Sequence, residues 1–100
     1  MNNMARVSKL AELRDKTDRE LAGVIENELD LGLHLARLAE GEKSANAADR
    51  ARNRTENIYS AALKLLPKVE DSTERRRLER KLKHVREALD QVSRVRAAYS

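Results

Sequence analysis

The chain has 100 residues, room for one domain with a single modest core. It is 38% charged and 40% apolar with a net charge of +4, and it carries two tyrosines as its only aromatics, three glycines, one proline and no cysteine. This composition excludes disulfides and thiol chemistry, and it disfavours strands, which draw on β-branched and aromatic residues.

Leu, Ile and Val total 22 residues, and the Ala, Leu, Glu, Lys and Arg content favours helix. Met1 to Leu10 lacks an apolar run of signal-peptide length, and no stretch approaches the roughly 20 apolar residues of a membrane span. The expectation is a cytoplasmic, all-α chain with no membrane partner.

Val7 to Lys16 reads as a short helical lead-in. Thr17-Asp18-Arg19-Glu20 has the form of a capping box, in which Thr17 and Glu20 satisfy each other's backbone N–H groups. It predicts a helix over 18–40. Within it, Leu29, Leu31, Leu33 and Leu35 alternate with Asp30, Gly32 and His34, a strand period. The helix reading prevails because Leu is a strong helix former and no turn residues interrupt the segment. On a wheel of 100° per residue the apolar side chains from Leu38 round to Leu33 span roughly 220°. So wide an arc needs two neighbours, which makes this helix the central one.

Gly41 suits the left-handed residue that ends a helix, and Ser44 or Asn46 can cap the next. A second helix over 45–66 is apolar along Ala47, Ala48, Ala51, Thr55, Ile58, Ala62, Leu65 and Leu66. Its alanine-rich half is expected opposite Leu31 to Leu38, small against large. Pro67 ends it, because proline disfavours α geometry at the preceding residue. Asp71-Ser72-Thr73-Glu74 caps a third helix over 72–98. There Leu78, Leu82, Val85, Leu89 and Val92 form a heptad seam, with Arg96 where an apolar residue is expected. Arg96 would reach toward Glu40 or Glu42. The fold expected is an antiparallel three-helix bundle forming one domain over 1–100. Packing within one chain takes precedence over homodimerisation, which would also satisfy the wide face of the first helix.

Charge is unevenly placed. Residues 72–100 carry +5, residues 1–43 carry −2, and the middle carries +1. Arg75, Arg76, Arg77, Arg80, Lys81, Lys83 and Arg86 place seven cations in twelve residues. Arg75, Arg76, Arg77, Arg80, Lys83 and Arg86, extended by Arg50 and Arg52, form a candidate polyanion-binding surface. Guanidinium forks match phosphate geometry. The bland reading is a solvated face laced by i, i+4 pairs: Arg75–Glu79, Glu79–Lys83, Lys83–Glu87, Arg86–Asp90 and Asp90–Arg94. Two tyrosines do not make a base-stacking platform, so a nucleic-acid partner would be structured RNA held by backbone and shape. An acidic protein surface is the other partner expected.

Glu28 falls inside the apolar arc of the first helix. A buried carboxylate requires a partner, and Arg54 or Lys81 lies at its level, so a buried ion pair is expected. His34 and His84 have no metal-ligating neighbours at helical spacing, and neither a metal nor a cofactor is expected. There is no Gly-rich phosphate loop and no nucleophile elbow.

Glu12-Leu13-Arg14-Asp15-Lys16-Thr17-Asp18-Arg19-Glu20-Leu21, followed by Gly41 and the arginines at 50, 52 and 54, resembles the twenty-ninth large-subunit ribosomal protein family over residues 10–54. The resemblance implies a helical hairpin that binds ribosomal RNA. The family's aromatic and basic stretch is replaced here by Leu33-His34-Leu35-Ala36-Arg37, and the family lacks a third helix. Leu13-Arg14, with Lys43, Asp49 and Arg52, also resembles the all-helical chorismate mutases, although Leu29, Leu31 and Leu33 stand where their mid-helix arginine falls. The leading functional expectation is a non-enzymatic helical binding module contacting an acidic macromolecule through the third helix. The alternatives are a mutase-like enzyme and a scaffold whose charge only solvates it.

Overall fold

The computed structural model describes residues 3–99, with side chains over 9–95. Among these residues there are three α-helices and no strand: α1 (Asn3–Gly41), α2 (Ala45–Leu65) and α3 (Ser72–Tyr99), with a 3₁₀ turn (Leu66–Lys68) between α2 and α3. The expected all-α three-helix bundle is formed. It measures 70 × 19 × 16 Å. α1 packs against both other helices, which touch each other over a shorter length. The first helix is therefore central, as its wide apolar arc requires.

The lead-in and the first helix are one element. Thr17 does not cap. Its hydroxyl donates to the Leu13 carbonyl, 2.8 Å away, one turn back inside a continuous helix. Nothing between Val7 and Glu20 breaks a helix, so the box is overridden by strong helix formers on both sides. Asp18 acts elsewhere: its carboxylate accepts from the backbone N–H of Glu70 at 2.6 Å and of Asp71 at 3.1 Å. It thereby holds the turn before α3 against α1. Residues 9–17 are all exposed, and Leu10, Leu13 and Arg14 border a shallow concavity shared with Lys68 and Glu70 of the turn before α3.

The other boundaries follow local chemistry. Ser44 is the N-cap of α2, accepting from Ala47 N–H at 3.4 Å. Gly41 stays within α1, and no described glycine has a positive φ, so the expected left-handed stop is not used. After Pro67, Asp71 accepts from Glu74 N–H at 3.0 Å and caps α3.

The main core is Ala22, Ile25 and Leu29 from α1, Ala62 and Leu66, Val69 from the turn, and Leu78, Leu82, Val85 and Leu89 from α3. The α3 seam is buried throughout, as its four–three spacing predicts. The far end of the bundle is small against small: Ala36, Ala39 and Val92 pack with Ala51 and Ala88. The leucines expected opposite the alanines lie instead on the flank, and Leu38 is exposed. Midway, α1 and α2 approach closely at Gly32. A Cβ built there would sit 3.2 Å from Ile58 Cγ2. The buried Thr55 hydroxyl lies 3.3 Å from the Gly32 carbonyl and 2.8 Å from that of Ala51.

Candidate functional site

α1 and α3 run parallel with a constant offset, and this sorts the basic run of α3 into two classes. Glu26 and Asp30 share one face of α1, four residues apart. Arg77 and Lys81 share the facing side of α3 with the same spacing. Arg77 bonds Glu26, and its second amino group reaches Glu74 at 2.7 Å. Lys81 Nζ lies 3.0 Å from Glu26 and 2.8 Å from Asp30.

The network shifts its members' titration in the direction that preserves charge. Hydrogen bonds from Arg77 first, then Lys81, hold the Glu26 carboxyl below the usual carboxylate range. Asp30 first, then Glu26, raise the Lys81 ammonium. Glu26 chiefly, then Glu74, raise the Arg77 guanidinium.

Two more cations are engaged. Arg75 donates to the Val69 carbonyl at 3.0 Å and stands 3.9 Å from Glu79. Arg86 donates to Asp90 at 2.8 and 3.1 Å, with its guanidinium 5.3 Å from the Tyr59 ring centroid, a cation–π contact. Of the expected i, i+4 pairs, Arg75–Glu79 and Arg86–Asp90 are present among the described ion pairs, whereas those of Lys83 with Glu79 or Glu87, and of Asp90 with Arg94, are not.

Arg76, Arg80 and Lys83 are exposed and have no acidic partner among the described residues. At 100° per residue they fall within about 60° of arc, one outward stripe. Arg94, expected from the sequence only as a partner of Asp90, lies at the same angle farther along, beyond Glu87. Only the helical period separates these cations from the engaged ones, because composition and charge count treat all of them alike.

Arg50 and Arg52 lie on α2, off the α3 stripe itself. Ala51 packs with Ala88 and Val92, so its neighbours Arg50 and Arg52 lie level with residues near 88–92 of α3. That is roughly 8–14 Å along the axis from Lys83, at about 1.5 Å per residue, toward Arg94. Arg52 is half-buried, and its Nε is enclosed without an acceptor.

The buried ion pair expected at Glu28 is not formed. Glu28 and Arg54 are both exposed, and Lys81 is engaged by Glu26 and Asp30 instead. The physical reason is that the core lies toward Ala22, Ile25, Leu29 and Ala36, which leaves Glu28 on the flank of the apolar arc. Arg96 falls outside the described side chains.

His34 and His84 are exposed, and among the described residues no group of three or more His, Asp or Glu side chains is placed to hold a metal. Arg14 lies in the N-terminal overhang, whereas Lys43 and Arg52 lie at the opposite end of the bundle, about 40 Å along α1. One chain therefore does not assemble a mutase-like set. No helix among the described residues is long and apolar enough to cross a membrane. No family model, no curated protein and no solved structure matches the chain.

Proposed function

We infer that the chain is a small helical binding module that docks on the phosphate backbone of structured RNA through Arg76, Arg80 and Lys83. One observation carries this reading: the cations of α3 that are free of carboxylates all face the same way. Arg75, Arg77, Lys81 and Arg86 serve the fold, and the other cations with described side chains, Arg76, Arg80, Lys83 and Arg94, are exposed on one side. Arginine forks favour phosphate, and the near absence of aromatics favours backbone contact over stacked bases.

Three phosphate contacts predict a slope of roughly −2 to −3 in log affinity against log salt concentration. Fluorescence anisotropy with a labelled RNA hairpin reads this directly. Arg76→Ala with Arg80→Ala reduces the slope to about −1, with the melting temperature unchanged. Absence of binding at low salt, or a slope indifferent to the double variant, overturns the reading. Equal affinity for polyglutamate would move the partner class to acidic protein.

A further inference from the structure

We propose that the chain pairs with a second copy of itself, antiparallel, along a seam on α1. The seam is Leu10, Arg14, Thr17, Leu21, Val24, Glu28, Leu31, Leu35 and Leu38, whose spacing alternates four and three throughout. This is the heptad pattern of a coiled coil. None of the nine is buried within one chain. Leu10 is 62% exposed, Val24 55% and Leu38 53%, while Leu21, Leu31 and Leu35 are half-covered by the bundle. The surface differs from the α3 stripe, so this inference stands apart from the RNA reading.

The charges on the seam specify the occupant. It contains one cation, Arg14, and one anion, Glu28. In a parallel, in-register pair each would meet its own copy, placing like charges together. In an antiparallel pair with the two-fold axis between residues 22 and 23, Leu21 faces the partner's Val24 and Leu10 faces the partner's Leu35. Arg14 then faces the partner's Leu31, about 4.5 Å along the axis from the partner's Glu28, within reach of an arginine side chain. Symmetry makes two such ion pairs, with Thr17 facing Glu28 between them. The seam is thus complementary to itself in one orientation.

The overhang supports the same occupant. Before Asp18, α1 extends past the bundle, and residues 9–17 are exposed at every position. The stretch continues a helix that the bundle already nucleates, and what it leaves unpacked is apolar surface at Leu10 and Leu13. The antiparallel arrangement lays Leu10 and Thr17 over the partner's Leu35 and Glu28, so each overhang covers the open flank of the other copy.

The test is sedimentation equilibrium over a concentration series, using the full chain and three variants. The expected wild-type mass is that of two chains. Arg14→Glu and Glu28→Arg each place like charges together and weaken the dimer about tenfold or more. Combining them restores affinity to within about threefold of wild type, a rescue that nonspecific damage does not produce. Both side chains are exposed in the single chain, and circular dichroism verifies that each variant stays helical; Arg14→Gln and Glu28→Gln replace any that does not. A one-chain mass at every concentration overturns the proposal. So does a dimer that ignores both single charge reversals, since that places the interface elsewhere.

Discussion

α1 contains two glycines in its interior whose surroundings differ in one respect, and comparing them isolates the cost of close helix packing. At Gly23 an added Cβ meets nothing within 4 Å. Gly23→Ala therefore expresses the helix-propensity gain alone, about 0.8–1.0 kcal/mol. At Gly32 the same gain is opposed. The added Cβ stands 3.2 Å from Ile58 Cγ2 and 3.7 Å from Thr55 Cγ2, so Ile58 must move by a few tenths of an ångström. The neighbour is a buried β-branched side chain with little rotamer freedom. Overpacking of this type costs about 1–3 kcal/mol. Gly32→Ala is then expected to range from neutral to about 2 kcal/mol destabilising, leaving it about 1–3 kcal/mol below Gly23→Ala. Urea unfolding followed by far-ultraviolet circular dichroism measures both variants. All samples are kept at one concentration, because self-association would add a mass-action contribution. In heat denaturation, Gly23→Ala raises the midpoint by roughly 4–8 °C. If Gly32→Ala stabilises as much as Gly23→Ala, α1 and α2 are not in close contact at this level, and the packing argument fails.

Two further outcomes follow from the polar contacts between elements. Asp18→Ala removes the acceptor for the Glu70 and Asp71 N–H groups and is expected to cost about 1–2 kcal/mol; faster amide exchange at 70 and 71 identifies the site, and unchanged exchange there refutes the assignment. Glu26, whose carboxyl titrates below its ordinary range because of Arg77 and Lys81, contributes stability that is present above the ordinary glutamate value and lost as pH falls through the lower folded value. The gap between wild type and Glu26→Gln, about 1 kcal/mol for a partly solvated network, should persist at neutral pH and close in acid; a gap that widens in acid contradicts the ion-pair geometry.

Much of this architecture is legible where a local signal has no competitor. Ser44, Pro67 and Asp71 act within a few residues of themselves, and the helix boundaries around them follow. The α3 seam is legible because its apolar arc is narrow enough for one burial direction. Thr17 misleads because a capping box competes with helix continuation, and strong helix formers on both sides decide that competition. The arrangement around Asp18 is invisible to any local reading, since its clients lie more than fifty residues away.

The free cations of α3 and the exposed seam of α1 have a common origin in the packing of α1. Its apolar arc is wider than two neighbours can cover, so the bundle must choose a part of it. The alanines at 22, 36 and 39, with Gly32, permit the closest approach, and the core forms on that side. This choice turns Glu26 and Asp30 toward α3, where they engage Arg77 and Lys81 and leave Arg76, Arg80 and Lys83 to the outside. It also strands Val24, Leu38 and Glu28 on the opposite flank. A reading that centred the core on the middle of the arc would bury Glu28 and assign Lys81 to it. The small residues, rather than the leucines, determine which face of α1 is inside, and both proposed surfaces follow from that.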